Sequence, residues 1–337
     1  MLKKIFMVLL VTAIFILSGC AIQTEAAQEV KGDLKISMLN IGHGDAILIR
    51  TGKQTVLIDT ASSTKHAELV RELEKLSVTK IDKLILTHPH GDHIGGVNML
   101  MNPTKKELES YPYLEKISVA KIYDNGVAYS SKIYQKYMET AQDKKIPRQA
   151  LKAGDTLDFG NGVKFNVISP PAEFVDFINA GNYDKKDRAN RTNNTSIVGK
   201  LTYKNFSMMF TGDCERESEA KILANNKAED LKCDVLKSGH HGINTSSTKK
   251  FVEAVNPSCV LISARNAKKD GVEVGFPQLK VMQKYLAAGV DKKNIFCTRF
   301  NGTITLTSDG KNFSVAPEKK EDWVDKWMTH LKEIQKK

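Results

Sequence analysis

One run of six residues restricts the possible folds of this chain more than any other feature. His88-Pro89-His90-Gly91-Asp92-His93 follows directly on residues 83–87, whose apolar centre Leu-Ile-Leu has the pattern of a strand. His88 and His90 stand two apart in an extended segment, so their imidazoles project to one side. Gly91 permits the tight turn that brings Asp92 and His93 round as a second pair. The run predicts a metal centre between a strand and a helix, and a histidine-rich surface loop is the weaker alternative.

Two more segments place metal-binding side chains at the ends of predicted strands. Asp213 ends an apolar strand, where an ordinary turn aspartate is the alternative. A single carboxylate can bridge two cations that lie about 3.5–4 Å apart. His240 and His241 follow the strand at residues 235–237, and one imidazole can complete a metal site while its neighbour handles protons. We assign ligation to His240 and proton handling to His241, with the reverse assignment left open.

The chemistry of these donors favours zinc. Imidazole nitrogen and carboxylate oxygen suit Zn²⁺, and Mn²⁺ or iron also accept them. Because four donors fall within six residues, we expect the centre to hold one or two ions. The predicted metal ligands are His88, His90, Asp92, His93, Asp213 and His240.

Alternating strand and helix patterns fill most of the chain. Strands joined by turns at residues 42–45 and 51–54 start an antiparallel sheet, and residues 154–168 form a hairpin around Asn161-Gly162. Beyond residue 211, strands and helices alternate. Two mixed sheets with helices outside both is the economical packing, so the expected class is α/β (α+β). One domain over residues 33–315 is the simplest division.

The N-terminal residues have the pattern of an export signal. Lys3 and Lys4 precede an apolar run of about 13 residues, shorter than the roughly 20 that span a bilayer. Leu17-Ser18-Gly19-Cys20 resembles a bacterial lipobox, which predicts a signal peptide at 1–19, lipidation of Cys20 and a polar tether at 20–32. An ordinary secretory signal is the alternative. We therefore expect a lipid-anchored protein on the outer face of the bacterial cell membrane, or a secreted one.

The C-terminal segment and the charge suggest what the protein contacts. Residues 316–337 place Trp323, Trp327, Leu331 and Ile334 on one face of a predicted amphipathic helix. That face either packs on the domain or meets anionic lipid. The formal net charge of +11 favours anionic partners, although a basic surface alone carries little weight.

Taken together, the motifs His-x-His-x-Asp-His, Thr-Gly-Asp and Gly-His-His-Gly resemble the metallo-β-lactamase superfamily. Residues 39–49, 193–196 and 236–242 look most like the hydrolase domain of the ComEC competence proteins, and they are also similar to the phosphorylcholine esterases. The resemblance implies an αββα sandwich of two mixed sheets flanked by helices, with a dinuclear site at one edge. It implies a second role for Asp92 in orienting the attacking hydroxide. The metal ligands that it implies are His88, His90, Asp92, His93, Asp213 and one histidine of the His240/His241 pair.

The chain departs from the family pattern in three places. Residues 94–239 contain no histidine, although many superfamily members have a metal-binding one in that interval. His43 stands where the ComEC pattern usually has glutamine, and Phe276-Pro277 stands where it has His-Pro. The missing histidine puts full occupancy of both metal positions in doubt. For His43 we favour a surface position over an approach to the site.

Three polar residues are the candidates for substrate binding. Ser246 and Ser247 stand at the start of a predicted helix, whose N-terminal amides can receive a phosphate. Capping of that helix by the serines is the simpler interpretation. Asn194 joins them through its place in the segment that resembles the ComEC domain.

The expected reaction is hydrolysis of a phosphoester by a metal-activated hydroxide, with Asp92 and His241 as the catalytic residues. Two metal ions can lower the pKa of bound water from about 15.7 to near 7. The expected substrate is anionic and contains phosphate, with DNA and teichoic acid as candidates, and no protein partner is predicted. Hydrolysis of a β-lactam or lactone is a competing hypothesis that the missing histidine weakens. A non-catalytic lipoprotein that binds metal or anions is the other alternative.

Overall fold

Two sheets of mixed strand direction are built from the short apolar segments of the sequence. The computed structural model describes residues 31–181, 192–269 and 272–336. The predicted signal peptide at 1–19, Cys20 and most of the predicted tether lie outside these ranges. Helices pack on the outer faces of both sheets. This arrangement confirms the predicted α/β class, with two mixed sheets between layers of helices.

The described strands are short, and most of them lie where apolar residues alternate or cluster. In chain order they are β1 (Leu34–Met38), β2 (Ile47–Arg50), β3 (Thr55–Ile58), β4 (Lys80–Ile81), β5 (Lys83–Leu86), β6 (Ser118–Val119), β7 (Ile122–Asp124), β8 (Arg148–Ala150), β9 (Thr156–Asp158), β10 (Val163–Ser169), β11 (Val198–Tyr203), β12 (Phe206–Phe210), β13 (Val235–Lys237), β14 (Cys259–Ile262), β15 (Asn266–Lys269), β16 (Val272–Gly275), β17 (Ile295–Cys297), β18 (Ile304–Ser308) and β19 (Phe313–Pro317).

The described helices range from single turns to three turns. The α-helices are His66–Lys75, Gly91–Ile94, Val97–Met101, Lys105–Ser110, Lys132–Asp143, Ala172–Asn179, Arg216–Asn225, Ala228–Leu231, Lys249–Val255, Leu279–Ala287, Thr298–Asn301 and Val324–Ile334. Shorter 3₁₀ segments are Ser63–Lys65, Pro112–Lys116, Gly239–Gly242 and Lys292–Asn294.

The first sheet joins strands from both ends of the described chain. Its order is β19-β18-β1-β2-β3-β5-β7-β8, with β1 antiparallel to both β2 and β18 and with β3, β5, β7 and β8 parallel. Residues 304–317 therefore complete the sheet that residues 34–58 begin. The domain boundary predicted at residue 315 falls inside β19.

The second sheet has the order β17-β14-β13-β12-β11-β10-β9. Strands β9 to β12 pair antiparallel, whereas β12, β13, β14 and β17 run parallel. The carboxyl ends of parallel strands meet at one edge of a sheet, where the loops that follow them come together. The metal-binding candidates follow β5 in the first sheet and β12 and β13 in the second.

Apolar side chains from both sheets form the central core. Phe165 of β10 is buried, stacks on Phe159 with 5.5 Å between the ring centroids, and lies 6.0 Å from the ring of Phe210. Gly199 on the neighbouring strand makes room for it, because a Cβ at that position would lie 2.1 Å from Phe165 Cζ. These three rings therefore form an aromatic cluster on the second sheet, within the central core that both sheets line.

The C-terminal helix Val324–Ile334 packs on the domain. Trp323, Trp327 and Leu331 are buried, and Trp327 Nε1 donates a hydrogen bond of 2.8 Å to the Pro277 carbonyl. The apolar face is therefore covered by protein, which supports the packing interpretation of this helix over the interfacial one. Among the described residues, no helix combines the length and apolar character that crossing a bilayer requires.

Candidate metal centre

The candidate residues converge from three strand ends. The run after β5 supplies His88 and His90 in extended backbone, then Asp92 and His93 from the helical turn Gly91–Ile94. Asp213 follows β12, and His240 and His241 follow β13. Since β12 and β13 are parallel neighbours, their following residues lie side by side and face the run after β5.

Asp213 lies at the middle of this convergence. Its Oδ2 is 3.1 Å from His93 Nε2, 3.5 Å from His241 Nε2, 3.7 Å from His240 Nε2 and 4.0 Å from His88 Nε2. The carboxylate is buried, and its backbone amide donates to Ser196 Oγ. One carboxylate oxygen thus faces imidazole nitrogens from two separate segments of the chain.

Four of the residues form a compact donor set. One side-chain donor atom from each of Asp92, His93, Asp213 and His241 lies within 4.8 Å of the other three. His93 Nε2, His241 Nε2 and Asp213 Oδ1 are buried and lack a hydrogen-bond partner. Buried polar atoms are rarely left unsatisfied in native proteins. The orphaned Nε2 atoms of His93 and His241 both face Asp213 Oδ2, an arrangement of nitrogen and oxygen atoms that fits a bound cation such as Zn²⁺.

His88 and His90 form the second part of the donor set. His88 Nε2 lies 3.0 Å from His90 Nδ1, and the ring centroids of His88 and His93 are 4.1 Å apart. Burial and the neighbouring imidazoles hold the pKa of His88 well below its ordinary value. A neutral imidazole is the form that binds metal. The structure therefore brings together all six side chains that the sequence predicted as ligands.

The charges in the cluster depend on one another. Burial alone would raise the pKa of the Asp213 carboxyl, but His241 and His93 hold it well below its usual range. Burial would lower the pKa of His93 and of His241, yet the surrounding carboxylates, Asp213 first, raise the pKa of His93 well above its ordinary value and that of His241 to about 10. Protons on these imidazoles balance the carboxylates, and a bound cation would replace them.

Behind the donors lies a layer of groups that the sequence analysis did not assign to the site. Asp59, which ends β3, accepts a 2.7 Å hydrogen bond from His93 Nδ1 and is itself held by the amide and hydroxyl of Thr87. His241 Nδ1 lies 3.1 Å from the Ser263 carbonyl. Partners of this kind fix the orientation of metal-binding histidines. A carboxylate at the end of an apolar strand, the signal that singled out Asp213, would also have found Asp59.

A buried ion pair lies beneath the donors. Lys237, the last residue of β13, is fully buried, and its Nζ lies 2.5 Å from Asp45 Oδ2 and 2.8 Å from the Gly212 carbonyl. Asp45 Oδ1 is 3.4 Å from His241 Nδ1. The ammonium therefore offsets part of the negative charge of Asp45 and Asp213. A lysine at the end of an otherwise apolar strand was the sequence signal for this contact.

The open side of the centre carries basic groups. His43 Nε2 lies 3.4 Å from Asp92 Oδ2, and 34% of the His43 side chain is exposed. His43 therefore approaches the site from its open side, which was the alternative to the surface position that we favoured. Burial first, and then the charges of His241 and the exposed Arg265, lower the pKa of His43, although the Asp92 carboxylate opposes them. Gly44 allows this approach, because a Cβ there would lie 1.9 Å from the Asp92 carbonyl oxygen.

The structure buries the three predicted substrate-binding residues. Asn194 Oδ1 accepts from the amides of Glu215 and Ser218, which caps the start of the helix Arg216–Asn225. Ser246 is fully buried, and Ser247 Oγ accepts from the Tyr285 hydroxyl at 2.8 Å. Buried side chains do not present themselves to a substrate, so we revise these three assignments to structural roles.

The roles predicted for the two adjacent histidines also need revision. His241 Nε2, assigned to proton handling, belongs to the compact donor set with Asp92, His93 and Asp213. His240, assigned as the ligand, lies slightly farther from Asp213 and is 20% exposed. The reverse assignment, which the sequence left open, accounts for His241.

Comparisons with known proteins agree with this geometry. The sequence pattern described as the metallo-beta-lactamase superfamily matches residues 39–264. The chain is 26% identical over 303 residues to ComE operon protein 3 of Bacillus subtilis, which covers 84% of this chain and 34% of that relative. It is 25% identical over 267 residues to competence protein ComA of Neisseria gonorrhoeae, which covers 77% of this chain and 31% of that relative.

A third relative and one solved structure extend the comparison. The chain is 28% identical over 238 residues to recombination protein 2 of Haemophilus influenzae, across 68% of this chain and 24% of that relative. It spans about a third of the length of these relatives, or less. The metallo-beta-lactamase fold protein YhfI from Bacillus subtilis superposes with a TM-score of 0.47 at 13% identity, across 84% of this chain and 100% of that one. With its motifs, its sheets and its donor set in the positions described, the chain belongs to the metallo-beta-lactamase superfamily.

Proposed function

We propose that this chain is a metal-dependent hydrolase of phosphoesters, with phosphodiesters in nucleic acid or in a cell-envelope polymer as the substrate class. The observation that carries the proposal is the position of Asp213, whose Oδ2 faces an imidazole nitrogen from each of His88, His93, His240 and His241. A carboxylate shared by two groups of imidazoles suits a pair of cations.

The donor set divides into two positions around Asp213. Asp92, His93 and His241 would hold one ion, and His88 and His90 would hold the other, with Asp213 common to both. Zn²⁺ suits these donors, and Mn²⁺ or iron also accept them. When bound, the ions would supply Lewis acidity and lower the pKa of water at the site.

Residues at the open side would bind and turn over the substrate. Asp92 has 22% of its side chain exposed, so Oδ2 would accept a proton from an attacking water. His43, beside it, would return a proton to the leaving oxygen. Arg265, which is exposed near His43, would attract an anionic group such as a phosphate.

The net charge of the chain and the names of its relatives support one class of substrate over the others. A formal net charge of +11 favours polyanions. Two of the relatives are named for competence or its operon and one for recombination, and for this chain those names favour nucleic acid over teichoic acid. We therefore rank a nucleic-acid phosphodiester first.

A reaction panel tests the proposal. The purified protein, supplied with Zn²⁺ or Mn²⁺, is incubated with bis(4-nitrophenyl) phosphate, single- and double-stranded DNA, a phosphocholine ester and a chromogenic β-lactam. We expect phosphodiester cleavage that Asp213→Asn and His88→Ala reduce by at least about 100-fold, while His330→Ala, an imidazole on the C-terminal helix, keeps it. Cleavage of the lactam alone would exclude the phosphoester hypothesis, and full activity in Asp213→Asn would exclude the metal mechanism.

The same proposal includes anchoring through Cys20 on the outer face of the cell membrane. The support is the lipobox-like sequence before Cys20. In a bacterial host, Cys20→Ala should move the protein from the membrane fraction to the medium or to the uncleaved precursor. A Cys20→Ala variant that is still processed to the mature size and still found in the membrane fraction would contradict the anchor.

A further inference from the structure

We propose that the Tyr129 ring forms a nucleobase-binding subsite at the edge of the metal centre, where it stacks a base next to the phosphodiester that is cleaved. The inference rests on the proposed nucleic-acid phosphodiesterase function. It adds a preference for strands that carry bases over base-free polymers of phosphate. Tyr129 is a substrate-binding residue in this arrangement, since it contacts the base and not the reacting phosphate.

Tyr129 stands at one end of a row of rings that crosses the centre. Each ring in the row lies between 4.1 and 5.9 Å from the next, measured between centroids. In order, the rings belong to Tyr129, His90, His88, His93, His241 and His43. On the His90 side, Tyr129 is therefore the ring next to the predicted ligands, as His43 is on the side of His241.

The contact with His90 leaves aromatic surface of Tyr129 for a ligand. The two rings meet edge to face, with an angle of 68° between their planes and 5.9 Å between their centroids. In a pair of this geometry, His90 covers at most one face of the tyrosine ring. Both side chains are partly exposed, so a substrate that binds beside His90 can also reach Tyr129.

The loop that carries Tyr129 is held in place just before that residue. The Ala128 amide donates to Asn179 Oδ1 at 2.9 Å, and Asn179 Nδ2 donates to the Gly126 carbonyl at 3.0 Å. Val127, between these two contacts, is buried. The backbone that leads to Tyr129 is therefore held by side-chain hydrogen bonds and by burial.

The loop is held again directly after Tyr129. Ser131 Oγ accepts from a backbone amide in the first turn of the helix Lys132–Asp143 at 3.2 Å and so caps that helix. Ile133 in the same turn lies against the metal-binding run, since a Cβ at Gly91 would lie 3.6 Å from Ile133 Cδ1. A side chain that is held between two anchored segments loses little conformational entropy when a ligand binds.

The other end of the row carries the positive charge that a nucleic-acid strand also needs. Ser263 Oγ donates to the Gly44 carbonyl at 2.7 Å, next to His43. The exposed Arg265 follows two residues later, close enough for its charge to act on His43. Aromatic rings that stack bases, combined with basic groups along the backbone, are typical of single-strand binding. A base at Tyr129 and a phosphate at Arg265 would place the linkage between them over the centre.

Binding of two single strands of equal length tests the inference without reference to turnover. The metal-loaded protein is titrated against a fluorescein-labelled oligothymidylate with phosphorothioate linkages, which slow hydrolysis, and against the same strand with abasic sites in place of the thymidines. Fluorescence anisotropy gives Kd. The wild type should bind the base-bearing strand more tightly than the abasic strand, because only the first can stack.

Three variants locate the difference. Tyr129→Ala should weaken binding of the base-bearing strand about 5- to 150-fold, as expected for one lost stacking contact, and leave the abasic strand unchanged. Tyr129→Phe keeps the ring and should keep the affinity. The matched control is Tyr113→Ala, a partly exposed tyrosine on the 3₁₀ segment Pro112–Lys116 outside the first sheet, which should bind both strands like the wild type.

The outcomes separate the inference from the proposed function. Equal losses on both strands in Tyr129→Ala would make the tyrosine a support for His90 and overturn the subsite, while phosphodiester cleavage stands. Equal wild-type affinity for the two strands, or unchanged affinity in Tyr129→Ala, would overturn it as well. A wild type that binds neither strand and cleaves no phosphodiester would overturn both proposals. If Tyr129→Ala fails to fold by circular dichroism, Tyr129→Leu replaces it, because leucine fills the space without a planar ring.

Discussion

Asp59 Oδ2 accepts a 2.7 Å hydrogen bond from His93 Nδ1, and both side chains are fully buried. Thr87 adds two hydrogen bonds to the same carboxylate, so Asp59 cannot turn away from the imidazole. The bond fixes which nitrogen of His93 faces Asp213. Asp59 thus orients a predicted metal ligand from behind, through the ring nitrogen that faces away from Asp213.

Weakening this bond should lower metal affinity. Asp59→Asn keeps the size of the side chain but removes its charge, and we expect about 10- to 100-fold weaker Zn²⁺ binding. Competition titration measures the change, with Asp309→Asn on the exposed turn before β19 as the matched control. Equal affinities in Asp59→Asn and the wild type would show that the bond has no part in holding the ligand.

The buried ion pair between Lys237 and Asp45 should matter to stability more than to binding. Lys237→Met leaves the Asp45 carboxylate buried and without its cation, which typically costs about 3–5 kcal/mol. Denaturant unfolding of the metal-free protein measures the free energy of unfolding. Asp45→Asn combined with Lys237→Met should recover part of the loss, because the unpaired charge is gone. A double variant that adds the two single losses would argue that the pair is not coupled.

The aromatic cluster around Phe165 should contribute strongly to the stability of the core. Phe165→Ala removes a buried ring that contacts Phe159 and Phe210, and we expect a loss of about 3–5 kcal/mol in the free energy of unfolding. Phe177→Ala, at a side chain that is 41% exposed, should cost less than about 1 kcal/mol. Equal losses in the two variants would contradict the assignment of the core.

Removal of metal should lower both activity and thermal stability. Chelation strips an ion that binds the folded state, and an ion present at about 100 times its Kd contributes about 2.7 kcal/mol. Tm measured with and without a chelator should therefore fall, and added Zn²⁺ or Mn²⁺ should restore it. The Asp213→Asn variant should show a smaller shift on chelation. A Tm that is the same with and without chelator would speak against a bound ion.

Much of the fold could be predicted from local patterns. The helix at His66–Lys75 and the strand Val235–Lys237 lie where apolar spacing placed them, because periodicity of 3.6 or 2 residues is a property of neighbouring residues. The pairing of β18 with β1, and of β19 with β18, was not predicted. The first of these pairings joins segments about 270 residues apart, and no local pattern records which distant strand completes a sheet.

The sequence by itself identified most of the metal-binding side chains. His88, His90, Asp92 and His93 lie close together along the chain, so their spacing alone indicates that their side chains can face one site. Only the tertiary structure shows which other side chains contact these ligands. Asp59 and Lys237 reach the centre from separate strands, and His43 reaches it from a glycine turn. The tertiary structure also buries Asn194, Ser246 and Ser247, so these side chains are not available to a substrate. Contact and burial between distant segments depend on how the sheets pack, and that is settled only when the whole chain is folded.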